Sequence, residues 1–319
     1  MISHDARPTR VLAVVGATAT GKTALAEGLA DALQGEVICA DSRQVFRELE
    51  VGTGKPTPAE RAIGAHHLFD ALELGDRASA GWYARASRAA RTQVRSRDAL
   101  PLLVGGSGLY LRAAQEGLAE EPPHDPAVRA RLRGEIEVAG PEALHARLAT
   151  VDPPAASRMA PRDRQRILRA LEVYEASGKP LSWWWSRPVP AQSGETWTLI
   201  EVVLPPEALG ERIAARTRWM LDNGLVEETR RLLAAGRGPA LRALRAVGYD
   251  EAIEVVEGSL GLKEATERIN LRTGRLAKRQ RTWFRHQARA LRLDADGLEP
   301  PALLEAALEA LAGPGATLP

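Results

Sequence analysis

The chain has 319 residues, 45% of them hydrophobic and 26% charged, a balance that excludes disordered and fibrous classes and suffices for one large domain or two smaller ones. Its formal net charge is only +2, so any strongly positive surface must be local. One cysteine, Cys39, excludes an internal disulfide framework and a cysteine-rich zinc site, and no apolar run reaches the ~20 residues of a membrane span.

In chain order, VLAVV (11–15) is a continuous apolar, β-branched run that predicts a fully buried strand. The turn GATATGKT (16–23) follows, then a helix through TALAEGLADAL. EVICA (36–40) predicts a second buried strand ending at Asp41. PLLVGG (101–106) predicts a third, leading into a helix at SGLYLRAA. WTLIEVVL (197–204) predicts a fourth, stopped by Pro205 and Pro206, and LRLDAD a short last one. Strands alternating with helices imply an α/β fold with a parallel, doubly wound sheet flanked by helices. Ligands of such sheets sit at the carboxyl ends of the strands, where Asp41 and Gly105–Ser107 stand beside the glycine-rich turn. From 118 to 196 no strand-like run occurs, and the text reads as helices over a length too great for a loop. The expected organisation is a core of residues 1–117 and 197–319 with a helical insertion of 118–196, hinged near 118–122 and 190–196.

GATATGKT fits G-x-x-x-x-G-K-[ST], with Gly16, Gly21, Lys22 and Thr23 in place and Ala17, Thr18, Ala19 and Thr20 forming the loop. A buried strand before it and a helix after it are the context this nucleotide-binding motif needs. Its backbone amides and the helix N-terminus suit a di- or triphosphate, with Lys22 neutralising the outer phosphate and Thr23 holding Mg²⁺. P-loop proteins that turn over nucleotides usually carry an Asp at the end of a second strand. PLLVGGSG ends in Gly-Gly-Ser instead, and the nearby acid is Asp41. Asp41 reads either as the N-cap of a helix at SRQVF or as a chemical group and second metal ligand beside the phosphate site.

The segment RTGRLAKRQRTWFRHQAR (272–289) carries seven basic residues and no acid, which favours nucleic-acid phosphate over a solvated face of mixed sign. Of the 43 Lys and Arg residues only Lys22, Lys55, Lys179, Lys263 and Lys278 are lysines. Arginine suits bidentate phosphate contact, although a GC-rich genome gives the same bias. WWW (183–185) either stacks bases or packs a small helical core. His66-His67, with no third ligand evident, reads as a structural pair.

These blocks resemble the bacterial tRNA dimethylallyltransferase family, also called tRNA isopentenyltransferases. The resemblance runs from GATATGKT through ADSRQVF, LEVGTGKPT, HHLFD, PLLVGGSGLYLRA, DRQRILRALEVYEASGKPLS, RTRWMLDNGLVEE and AVGYDEA to LAKRQRTWFR, in the family's order. The Asp-Ser step after the second strand, GT-x-KP and QR-x-x-RALEV are specific to it. Three blocks depart from the family: Ala17-Thr18-Ala19-Thr20 replaces Pro-Thr-Ala-Ser, Gly54 replaces Ala, and Ser107 replaces Thr.

The resemblance implies that the P-loop holds dimethylallyl diphosphate, whose diphosphate is a leaving group. The five-carbon group goes to the N6 amine of the adenosine beside the anticodon, tRNA position 37. Asp41 is then the base that accepts the amine's proton, since a carboxylate is ionised at pH 7. Lys22, Thr23, Mg²⁺ and Arg216 act on the diphosphate, with Arg218 as the competitor for the last role. Asp41, Ser42, Arg43 and Gln44 grip the flipped nucleotide. Ser107, Arg129, Gln165, Arg166, Ile167, Leu168 and Arg169 face tRNA, and the basic helix meets the anticodon stem. A cytoplasmic monomer with no membrane partner is expected. The rival readings are an enzyme that prenylates free AMP, ADP or ATP, a P-loop small-molecule kinase, and a non-catalytic RNA-binding protein.

Overall fold

The computed structural model describes residues 9–118, 122–187 and 194–313. The hinge expected near 118–122 and 190–196 falls mostly on residues outside these ranges. The chain divides into two compact units, Met1–Gln115 with Ser193–Pro319, and Glu116–Gln192. The expected divisions were 117/118 and 196/197; Glu195 already begins a strand of the first unit.

The first unit opens with β1 (Thr9–Gly16), α1 (Lys22–Ala32) and β2 (Gly35–Cys39). A single 3₁₀ turn (Val51–Thr53), α2 (Pro58–Ile63), β3 (His66–His67), α3 (Ala80–Arg95), β4 (Leu100–Gly105) and α4 (Gly108–Glu116) follow. The second unit is helical: α5 (Pro126–Ala139), α6 (Pro141–Val151), α7 (Pro153–Ala156), α8 (Arg164–Ser177) and α9 (Leu181–Trp185). The chain re-enters the first unit with β5 (Glu195–Val203), α10 (Pro206–Asp222), α11 (Leu225–Ala234), α12 (Gly238–Leu244), α13 (Tyr249–Val256), α14 (Leu262–Gln287), β6 (Leu291–Asp294) and α15 (Pro300–Ala312).

All six strands are parallel, in the order β3-β2-β4-β1-β5-β6. Parallel strands are covered on both faces, which is why VLAVV and LPLLV read as unbroken apolar runs. One face packs Val11, Ala13, Val15 and Leu103 against α3, α11 and α13; the other packs Leu12, Val14, Leu102 and Val104 against α1 and α15. Registers Val15↔Gly105 and Cys39↔Val104 bring the carboxyl ends of β1, β4 and β2 level. The loops after these three strands therefore share one edge.

The strand β3 was not expected from sequence. Two histidines carry neither alternation nor a β-branched run, and only pairing with Val37 and Ile38 makes them a strand. His67 Nε2 bonds to Glu36 at 2.6 Å and His66 Nδ1 to the Gly64 carbonyl at 2.8 Å, so the pair is structural. The second unit has a core of its own, built from Leu132, Ile136, Leu144, Leu148, Ile167 and Leu171.

Candidate active site

The P-loop leaves the sheet at Gly16, where φ is +149° and a Cβ would stand 2.5 Å from the Val202 carbonyl of β5. Only glycine fits that exit. Gly21, at φ +91°, caps α1 with no side-chain bond, and no acidic residue occupies the first turn. The N-terminal amides of α1 thus have no competing carboxylate, as an anion site requires.

Three cations surround the loop. The Lys22 ammonium donates to the Ala17 carbonyl at 3.0 Å. Burial pushes its pKa down from 10.5 to about 8, opposed by the charge of Asp41 and aided by that of Arg216. Arg216, on α10, donates to Thr18 Oγ1 at 3.1 Å and to the Thr53 carbonyl at 2.6 Å. Burial lowers its pKa as well, again opposed by Asp41. Arg212, one turn earlier, reaches the Thr20 carbonyl at 3.5 Å. Arg218 is exposed and outside this set.

Asp41 stands just past β2. Its Oδ1 accepts the amide N–H of Arg43 at 2.8 Å and that of Gln44 at 3.4 Å. The residues it caps form turns rather than a helix. One carboxylate oxygen is thus tied to the backbone, and Oδ2 has no hydrogen bond to the described residues. The neighbouring amide of Ser42 donates to Ser107 Oγ at 3.0 Å, and the Ser107 amide donates to the Ala40 carbonyl at 3.3 Å. Gly105 is required between them, since a Cβ there would lie 2.2 Å from the Ala40 oxygen. The Arg43 guanidinium donates to the Leu244 carbonyl at 2.8 Å, and Gln44 Nε2 donates to the Thr53 and Gly54 carbonyls at 3.1 Å each.

The segment Gly52–Pro56 is a carbonyl platform for these side chains. Lys55 is fully buried and donates to the Phe46 carbonyl at 2.7 Å, Glu50 at 3.1 Å and Asp70 at 2.6 Å. Glu228 accepts the Val51 amide at 2.9 Å and the Tyr249 hydroxyl. Gly54, at φ +55°, leaves room for Arg216, because a Cβ would meet Nη2 at 2.6 Å. Reading the sequence gave GT-x-KP no role beyond its resemblance to a family pattern. Its role is to hold Arg216 and Gln44 by main-chain oxygens, which side-chain chemistry in a sequence does not advertise.

A family model described as IPP transferase matches residues 44–287, and one described as isopentenyl transferase matches residues 9–66. The chain belongs to the IPP transferase family. It is 44% identical over 281 residues to the tRNA dimethylallyltransferase of Sorangium cellulosum, covering 88% of this chain and 89% of that one. It is 45% identical over 290 residues to the tRNA dimethylallyltransferase of Halorhodospira halophila, covering 90% and 93%. The full-length tRNA isopentenylpyrophosphate transferase of Bacillus halodurans superposes with a TM-score of 0.67 at 31% identity, covering 95% of this chain and 96% of that one.

The expected nucleic-acid contacts of this IPP transferase divide on burial. On α8, Gln165 and Arg166 are exposed. Ile167 and Leu168, expected to face tRNA, are 0% and 7% exposed and belong to the core of the second unit. Their side chains cannot meet a partner; the apolar spacing Ile167-Leu168-Leu171 was the available signal for an inward face. Arg129 donates to the buried Glu172 at 2.5 Å, and Arg169 donates to the Pro123 and Pro122 carbonyls at 2.9 and 2.8 Å. Both are partly exposed. Trp184 packs on the second unit's core with its ring edge-on to Trp183 at 5.0 Å, while Trp185 is 45% exposed under Arg158.

Arginines of the second unit are mostly paired: Arg131 and Arg147 with Glu135 and Glu175, Arg162 with Glu142, Arg164 with Glu137. The first unit's α14 differs. Arg275, Lys278, Arg279 and Arg285 are exposed and form no ion pair with a described residue. The same helix sends Gln280 inward, between the P-loop and Gly106. Sequence reading missed Gln280, whose contacts lie 262 and 174 residues away.

Among the described residues no group of three His, Cys, Asp or Glu side chains could hold a metal. Mg²⁺ is usually bound by one or two protein oxygens together with substrate phosphate and water. The Thr23 hydroxyl, at the start of α1 beside the P-loop, fits that mode. Among the described residues no helix is long and apolar enough to cross a membrane.

Proposed function

We propose that this chain is a tRNA dimethylallyltransferase. It transfers the dimethylallyl group of dimethylallyl diphosphate to the N6 amine of the adenosine beside the tRNA anticodon, at position 37. The observation that carries this reading is the convergence at one edge of the sheet of Asp41, aimed by the Arg43 amide, with Lys22 and Arg216, both bonded to the P-loop. A base and a diphosphate cradle side by side are what an alkyl transfer to a weak amine needs. The activity named for the relatives that match most of the chain supports it.

The reaction forms a bond from N6 to the allylic carbon and breaks that carbon's bond to the diphosphate oxygen. The lone pair of an exocyclic adenine amine is delocalised into the ring, so its proton must leave as the new bond forms. Asp41 accepts that proton through Oδ2, while Oδ1 stays on the Arg43 amide and fixes the carboxylate's aim. The electron pair of the broken C–O bond stays on the diphosphate. Lys22, Arg216 and the first amides of α1 stabilise the charge where it develops. Thr23 would hold Mg²⁺, which supplies Lewis-acid neutralisation of the diphosphate when bound. The adenosine reaches this edge by leaving its stack, and Ser42, Arg43, Gln44 and Ser107 are the polar groups that meet it. Exposed Gln165 and Arg166, with Arg129 and Arg169, serve the anticodon stem-loop from the second unit. The protein works as a cytoplasmic monomer in this reading.

The test is incubation of purified protein with Mg²⁺, dimethylallyl diphosphate and unmodified tRNA, followed by mass analysis of the nucleosides. Dimethylallyl-adenosine in wild type and its loss in Asp41→Ala is the expected result. Product with AMP but none with tRNA overturns the tRNA assignment in favour of nucleotide prenylation. Product with neither sinks prenyl transfer, and ATP hydrolysis is then measured.

A further inference from the structure

Alkyl transfer demands that two half-sites keep a fixed separation. The leaving group rests on the P-loop, and the base rides on the turn after β2. These segments belong to different strands with β4 between them, so some contact must set their spacing.

We infer, resting on the prenyl-transfer reading above, that Gln280 of α14 is a positioning residue that locks the diphosphate cradle to the base-bearing turn. Its Oε1 accepts the Thr18 amide of the P-loop at 2.9 Å. Its Nε2 donates to the Gly106 carbonyl at 2.9 Å. On the cradle side, Thr18 also carries Arg216 through its hydroxyl. On the other side, Ser107 follows Gly106, accepts the Ser42 amide and donates to the Ala40 carbonyl. A continuous series of short bonds thus runs from Arg216 through Thr18, Gln280, Gly106 and Ser107 to the turn that aims Asp41.

The space is cut for this side chain. A Cβ on Gly106 would lie 2.4 Å from Gln280 Nε2 and 3.1 Å from the Gly16 carbonyl. The same amide satisfies one donor and one acceptor that the crowded edge would otherwise leave unpaired. Two turns of apolar anchors fix the helix that presents it: Ala277 and Phe284 are buried on either side of Gln280. Gln280 shares that helix with Arg275, Lys278, Arg279 and Arg285, so phosphate contact on the outer face and the clamp on the inner face move as one rigid element.

Gln280→Met keeps the length of the side chain and removes both hydrogen bonds. Prenylation of tRNA under saturating and single-turnover conditions is compared for wild type, Gln280→Met, Gln280→Glu and Gly106→Ala, with tRNA affinity by filter binding and folding by circular dichroism. A misplacement on the order of 1 Å costs about 100-fold in rate, so kcat is expected to fall by about 10- to 100-fold in Gln280→Met. tRNA affinity and the KM for dimethylallyl diphosphate stay within about threefold of wild type, on the rule that losses confined to the transition state appear in kcat. Gln280→Glu recovers part of the rate, because a carboxylate still accepts the Thr18 amide. Gly106→Ala pushes the amide out from the opposite side and reproduces the kcat loss, and it carries the test if the Met variant is poorly folded. A folded Gln280→Met with wild-type kcat overturns the inference, as does a loss that resides wholly in tRNA affinity. A wild type that makes no product from tRNA overturns the prenyl-transfer reading itself, and this inference with it.

Discussion

Asp41 does two jobs with two oxygens. Oδ1 holds the turn through the Arg43 and Gln44 amides, and Oδ2 remains for the substrate. Asp41→Asn can keep the first job through its amide oxygen and loses only the second. It is expected to cost about 100- to 10,000-fold in kcat, the range of general-base catalysis, with little change in melting temperature. A variant that retains wild-type kcat, measured as dimethylallyl-adenosine formed within the tRNA, would remove Asp41 from the chemistry. Lys22 makes a prediction in pH. Its ammonium is charged below about pH 8 and neutral above it, because burial holds its pKa below the ordinary 10.5. Anion affinity is therefore complete at lower pH and lost as pH rises through that value. The kcat/KM for dimethylallyl diphosphate, which reports the free enzyme, should fall above about pH 8. Lys22→Arg, whose guanidinium keeps its charge, should flatten the fall. A wild-type profile flat to about pH 10 would mean that no titration of Lys22 limits diphosphate binding in that range.

Among elements, α1 and α14 contrast in how much of their role the sequence reveals. The P-loop is a local pattern: strand, glycines, Lys22-Thr23 and helix lie within one short stretch, so both fold and ligand class could be read from it. The four long strands were equally plain: β1 and β4 carry nearly unbroken apolar runs, and β2 and β5 bury apolar segments interrupted by Glu36 and Glu201. β3 was not, because two residues hold no period. Gln280 was illegible for another reason: it acts through main-chain groups 262 and 174 residues away and carries no spacing signal. Ile167 and Leu168 were harder to read, since flanking arginines obscure an inward-facing apolar pair. The outer face of α14 allows a direct test by salt. Removing one phosphate-contacting cation lowers the slope of log affinity against log salt by about 1. Arg279→Ala is expected to do so in tRNA binding, whereas Arg147→Ala, whose guanidinium is already shared by Glu135 and Glu175, is expected to leave the slope nearly unchanged. Equal slopes for both variants and wild type would argue that α14 meets no phosphate.

At the scale of the whole molecule, the chain interrupts one α/β unit with a helical one. The second unit closes its own core from α5, α6, α7, α8 and α9, with Glu172 buried among His124, Arg129 and the Asp125 amide. A segment with its own core is able to fold by itself. Residues 116–192, expressed alone, are therefore expected to give a helical circular-dichroism spectrum and a cooperative thermal transition. A non-cooperative, coil-like melt would show that the unit borrows its stability from the rest of the chain.

The uneven pairing of the arginines also sets how the protein travels before it reaches any substrate. Its formal charge nearly cancels, yet uncompensated cations crowd the exposed face of one helix. Such a distribution carries little net force in a polyanion's field but feels a torque, so the cationic face of α14 is steered toward the polyanion during approach. On a heparin column it is expected to be retained well beyond what its charge balance suggests, and Arg279→Ala is expected to elute at lower salt than wild type.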